Sequence, residues 1–356
     1  MRTAESVPGQ PRPCGLGPIR PSPLGIAALA GLALILSWDL TGVAALTDAD
    51  CRACHGPGHP TAVGASGRVA PLVEPTVLAH AAHAGLGCVE CHPTTGVPHV
   101  EPPQTVACHS CHQPQGSTLA ASVHGTAPAA DGSSVRCTDC HGGHEVMSAA
   151  AARSGPGKAR TAAHCARCHG EVAGVYQASV HGKALAAGIA ESPTCTDCHG
   201  EHGIAAVSEP TSSVAPRNIP GTCSACHDEE RLATRLGLPA GRLATYLDSY
   251  HGVVNRYGEA AVANCATCHG VHDIRPSSDT LSSIHPRNLG RTCGTCHPGA
   301  GDGLAGARVH VAADPGSSKG MYYVRVFYTL LTVGLMACFV AYMGIEIYGT
   351  WRRRRR

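Results

Sequence analysis

Cys51-Arg52-Ala53-Cys54-His55 sets the pattern for the whole chain. The same C-x-x-C-H spacing returns at Cys88, Cys91, His92; at Cys108, Cys111, His112; at Cys137, Cys140, His141; and at Cys165, Cys168, His169. It returns again at Cys195, Cys198, His199; at Cys223, Cys226, His227; at Cys265, Cys268, His269; and at Cys293, Cys296, His297. Eighteen of the 20 cysteines lie in these nine copies. A C-x-x-C pair alone reads equally well as half a zinc site or a redox dithiol. Neither of those requires a histidine directly after the second cysteine, and all nine copies have one.

The spacing matches the attachment signal of a c-type haem. Two thiols two residues apart reach the two vinyl groups of one porphyrin and form thioethers. The adjacent histidine then supplies one axial nitrogen to the iron. The expectation is nine covalently attached haem c groups.

The composition agrees with that cofactor load. Only 2 Phe and 2 Trp stand against 43 Gly and 26 Pro, and charged residues make up 15%. Side chains of this stock cannot build a core of ordinary size for a chain of 356 residues. The expected fold is mainly irregular coil with short α-helices wrapped around stacked haems, little or no β structure, and one C-terminal transmembrane helix. The net charge is +2, with no long basic stretch in the motif region, so nucleic acid is not an expected partner.

Residues 1–45 read as an export signal. An apolar run at 24–38 has the length of a signal-peptide h-region, and Val43-Ala44-Ala45 offers small residues for cleavage. The alternative is an uncleaved anchor over 24–46, interrupted by Asp39. At the other end, Val326 to Ile345 gives twenty residues without a charge, flanked by Tyr322, Tyr323, Phe327, Tyr328, Tyr348 and Trp351. Arg352 to Arg356 follow and by the positive-inside bias stay cytoplasmic. These features predict a single-pass protein of the cell inner membrane, with its haem region periplasmic or exterior.

Between the ends the chain repeats. Ser122-Val123-His124-Gly125, Ser179-Val180-His181-Gly182 and Ser249-Tyr250-His251-Gly252 each precede a C-x-x-C-H-G-x-H, ending at His144, His202 and His272. A second C-x-x-C-H begins 28 residues after the first in every repeat. The organisation read from this is a three-haem segment at 46–118, two-haem repeats at 119–175, 176–245 and 246–300, a linker at 301–320, the membrane helix at 321–351, and a basic tail at 352–356. Two helices are expected between motifs, Asp228 to Leu236 and Arg242 to Tyr250. Gly142, Gly170, Gly200 and Gly270 are expected to turn the chain past the porphyrin edge.

Two axial imidazoles on nine irons call for eighteen histidines, and the chain has 23. Beyond the motif histidines, His124, His144, His181, His202, His251 and His272 come from the repeats. His80 and His83 form a pair before the second motif, three residues apart and able to share a helix face. The ninth comes from His59, His99 or His109, and we take His99. His285 or His310 is an alternative for the last haem.

The stretch from His80-Ala81-Ala82-His83 to Cys88 resembles multihaem cytochromes of the cytochrome c3 type, in which such a pair precedes a C-x-x-C-H. The wider resemblance to multihaem cytochromes covers roughly residues 50–300. It implies transfer of electrons between a membrane quinol or dehydrogenase partner, for example a cytochrome b-type subunit, and periplasmic or outer-membrane acceptors such as other cytochromes. Irons with two imidazoles suit electron transfer, so no catalytic residue is assigned. The alternative is a multihaem oxidoreductase of nitrogen or sulfur oxyanions with one five-coordinate iron. No C-x-x-C-K variant of the motif, found in some such enzymes, occurs here.

Overall fold

The computed structural model describes residues 46–57, 72–93, 106–128, 132–239, 241–258, 261–299, 303 and 308–356. The chain divides into two units, Met1–Ala45 and Leu46–Arg356. The export-signal reading, like His59 and His99, falls outside the described residues. Those residues form short helices and no strand, followed by one long apolar helix, as the sequence predicts.

Each motif folds as a single helical turn or as the end of a longer helix. Cys88–Cys91, Cys137–His141, Cys195–His199 and Cys265–His269 are separate turns. Such short turns need caps, because their first amides have no partner within the helix. In the two C-T-D-C-H copies the aspartate supplies one: Asp139 accepts from the Arg136 amide, and Asp197 from the Thr194 amide, both at 2.7 Å. After the motif histidine the chain turns on Gly142, Gly200 and Gly270, at φ of 77°, 80° and 85°, which other residues seldom adopt. Gly170 departs from that expectation. It opens the helix Gly170–Ala178 directly after His169 and makes no turn.

The S-x-H-G signature is a sharp corner between two helices. Ser122, Ser179 and Ser249 cap the helices Val123–Thr126, Val180–Ala186 and Tyr250–Arg256, each accepting from the glycine amide three residues on. A Cβ on Gly125, Gly182 or Gly252 would run into the carbonyl oxygen of Leu119, Tyr176 or Tyr246 at the end of the preceding helix. Serine makes the corner, glycine lets the helices close, and the histidine is held in the first turn. The same cap shortens the expected helix Arg242 to Tyr250. It ends at Leu247 because Ser249 starts the next one. The other expected helix spans Glu230–Leu236 and stops at Gly237, at φ 63°.

Side chains supply little core. Among the described residues the buried hydrophobics are Leu185, Ala215, Leu232, Ala233 and Tyr246. Buried polar residues outnumber them, and the half-buried Asn218 and Asn288 tie down loops. Asn218 Nδ2 donates to Pro210 O and Ser212 O, and Asn288 Nδ2 repeats this with Thr280 O and Ser282 O, all at 2.8–2.9 Å. Tyr176 and Tyr246 donate their hydroxyls to Pro193 O and Ala263 O, two residues before their motifs.

The last helix, Lys319–Arg354, has 36 residues and none of them is buried. It is long and apolar enough to cross a membrane. Near its start Arg325 Nη1 lies 3.6 Å from Asp248 of the last repeat. Near its end Tyr348 stacks on Trp351, and the Arg355 guanidinium lies 3.9 Å above the Trp351 ring.

Candidate haem sites

At eight of the motifs the motif histidine faces a second imidazole from elsewhere in the chain. These eight pairs all lie among the described residues. Four join a motif histidine to one held in the first turn of a helix or in the turn before the second motif. These are His112 with His83, His169 with His124, His227 with His181, and His297 with His251, with centroids 5.9–6.2 Å apart. Three join a motif histidine to one from C-x-x-C-H-G-x-H: His92 with His144, His141 with His202, and His199 with His272, at 5.7–6.0 Å. The eighth joins His269 to His310 at 6.3 Å.

The separation tests the cofactor. An imidazole nitrogen binds a first-row metal at about 2 Å, and the ring centre lies roughly 1 Å behind it. Two imidazoles on one metal therefore place their centroids about 6 Å apart. Among the described residues no three His, Cys, Asp or Glu side chains converge on one point. Two imidazoles at this separation, with no third protein ligand beside them, fit an iron whose other four ligands come from a porphyrin better than a tetrahedral zinc. No described cysteine is tied up in a disulfide, so the motif sulfurs are open to thioether formation. Asn255 Nδ2 is buried without a hydrogen-bond partner, one helical turn beyond His251. A haem carboxylate is an acceptor of the kind it lacks.

Burial holds the imidazoles of His92, His141, His181, His199, His227, His269 and His310 below their ordinary range. They are thereby kept in the neutral form that a metal accepts.

The motifs also lie in chain order in space. Burial pushes the Cys88 thiol up to about 11, with Asp48 and Cys51 acting in the same direction. Cys108 is raised by burial and then by Cys137 and Cys91. Cys165 is raised first by its hydrogen bond with Cys195, then by burial and by Cys140. Cys223 is raised first by its hydrogen bond with Cys265, then by burial and by Cys198. For Cys268 burial comes first, then Cys293. Every successive pair of motifs is thus within electrostatic reach, from the first to the ninth. Asp48 Oδ1 joins the first two directly, accepting from the Cys88 amide at 2.8 Å.

Three of the remaining described histidines have other partners. His80 donates from Nδ1 to Thr76 O at 2.8 Å, and no ring pair joins it to a described motif histidine. The His164 Nδ1 bonds Cys140 O, and the His285 Nδ1 accepts from the Arg287 amide. His310 is the member of the facing pairs for which the repeats give no signal. The sequence offers it only as an alternative, because it belongs to no C-x-x-C-H-G-x-H.

Residues 79–154 match the family model for cytochrome c3. No curated protein and no solved structure matches the chain. Over the matched stretch, which holds the second to fourth motifs, the chain is similar to cytochrome c3. The match supports a multihaem c-type cytochrome with covalently bound haem c and a role in electron transfer.

Proposed function

We propose that the chain is a membrane-anchored cytochrome with nine haem c groups, relaying electrons between a partner in the inner membrane and acceptors on the periplasmic or outer side. The observation that carries this reading is the chain-order adjacency of the motifs, eight of which have a facing imidazole pair. Each haem c supplies an iron that takes up and releases one electron. The chain's own residues do the rest. The cysteines would fix each group to the backbone and the paired histidines would hold its iron from both sides, while the capped corners keep the imidazoles in place. A site with both positions filled has no place for a substrate, so the protein is a carrier and not a catalyst.

The Lys319–Arg354 helix supports an anchor, with the arginines at 352–356 on the cytoplasmic face. The helix carries no histidine for a haem of its own. A quinone-linked membrane subunit, such as a b-type cytochrome, is therefore the partner on that side, and soluble or outer-membrane cytochromes are the partners at the far end. For the first motif, His55, the second ligand is His80 or His99. The Nδ1–H of His80 is committed to Thr76 O, which leaves Nε2 available to a metal.

The experiment is a haem count combined with carbon monoxide binding on the purified full chain. Nine haems per chain by pyridine haemochrome, all low-spin and indifferent to carbon monoxide when reduced, is the expected result. A count near four would end the nine-haem reading. One high-spin iron that binds carbon monoxide tightly would replace the relay with an oxidoreductase.

A further inference from the structure

We infer that the irons are ligated across repeat boundaries in a fixed register, and that His310 closes this register by supplying the second axial ligand of the iron held at Cys265, Cys268 and His269. This rests on reading the facing histidines as axial ligands, as proposed above.

Four units carry the pattern, not three. The first contains His83 and the motifs ending at His92 and His112. The others begin with His124, His181 and His251. In each unit the leading histidine faces the motif histidine that closes the same unit: His83 and His112, His124 and His169, His181 and His227, His251 and His297. The other pairs cross a boundary, always in one direction. His144 faces His92 of the unit before, His202 faces His141, and His272 faces His199.

A backbone bond accompanies every crossing. The amide before each leading histidine donates to the carbonyl two residues past the crossing histidine. The bonds are Ala82 to Val146 at 2.8 Å, Val123 to Ile204 at 2.9 Å and Val180 to Ile274 at 2.9 Å. Three copies of one bond make the crossing a property of how the units stack. It is not a choice of side-chain rotamer.

The fourth unit has no successor, so this rule leaves His269 without a partner. His310 faces it instead, at 6.3 Å and 43°. The Thr245 hydroxyl lies within donating distance of Gly241 O and Arg242 O, at 3.0 and 3.1 Å. With its proton directed there, Oγ1 accepts from His310 Nδ1–H at 3.0 Å. That hydrogen bond sets the tautomer with the lone pair on Nε2, as a second partner commonly does for a ligating histidine. His310 stands in the stretch that leads into the Lys319–Arg354 helix. The eighth iron is therefore held jointly by the last repeat and by the connection to the membrane helix.

The test is His310→Gly in the full-length, haem-loaded protein. The haem count should stay at the wild-type value, since the thioethers are untouched. One haem per chain should turn high-spin and bind one equivalent of carbon monoxide more than wild type, and added imidazole should restore the low-spin spectrum. In a Cys265→Ala/Cys268→Ala background the substitution should change nothing further. In a Cys293→Ala/Cys296→Ala background its effect should persist. An unchanged spin state, a change that imidazole does not reverse, or an effect that vanishes with the ninth haem overturns the assignment. A wild-type haem count far below nine would instead overturn the nine-haem reading itself.

Discussion

His202 Nε2 stands 3.4 Å from His141 Nε2, although the two residues are 61 apart in the chain. Their rings are close to parallel, at 19°. A metal bonded to both at about 2 Å would open the gap to about 4 Å. A small outward movement of either ring achieves this.

On the proposed reading, His202 is a ligand to a neighbouring unit's iron. Replacing His202 with Met should raise one midpoint potential, as methionine ligation does, and leave the others near their places. Removing the haem at Cys137 and Cys140 should erase the raised step. Removing the one at Cys195 and Cys198, four residues from the mutation, should not. A redox titration of the three variants decides between the two.

The corner glycines carry a packing prediction. Gly182→Ala places a methyl group against the Tyr176 carbonyl, and the two helices must part to admit it. Overpacking of this kind costs about 1–3 kcal/mol. Ser179→Ala removes the cap of the same corner and should cost about 1 kcal/mol. Thermal unfolding followed by visible circular dichroism should order the variants with wild type most stable and Gly182→Ala least.

Acid should loosen the junction between the first two motifs. The Cys88 amide donates to Asp48 and holds its carboxyl below the ordinary carboxylate range. A carboxyl lowered in the folded state stabilises it above the unfolded value of about 3.9, and that contribution is lost as pH falls through the folded value. Protection of the Cys88 amide against hydrogen exchange, corrected for the intrinsic rate, should therefore fall across this acid window. In Asp48→Asn the correction should leave a flat profile.

Removing residues 321–356 should release a protein that is soluble, still red, and unchanged in haem count. Partition between detergent-free supernatant and membrane pellet measures the first property, and pyridine haemochrome the last. If the truncated chain stays in the pellet, the anchor lies elsewhere.

Much of this was legible before any coordinates, for physical reasons. Thioether chemistry demands a rigid spacing, so the motifs can be read off one after another. Composition excludes a side-chain core, and the few buried hydrophobics, Leu185 and Tyr246 among them, agree. The destination of each extra histidine was not legible. His144 follows Cys140 by four residues yet faces His92, because the stacking of units, and not proximity in sequence, selects the partner. His83 hides its membership of the repeats because it lacks the S-x-H-G corner, and only the Ala82 to Val146 bond discloses it. His310 has no repeat counterpart to announce it. The split of the helix at Ser249 was within reach, since a serine three residues before a glycine already marks two other corners.

The bond from each leading amide to the next unit's carbonyl limits how such a chain can be edited. Because a crossing histidine reaches back by two motifs, inserting or deleting a single motif would misalign every partner beyond the change. A whole unit can be added or lost without that penalty. Lineages of this architecture should therefore lengthen by pairs, with the Cys51–His55 motif standing ahead of the first unit and keeping the total odd.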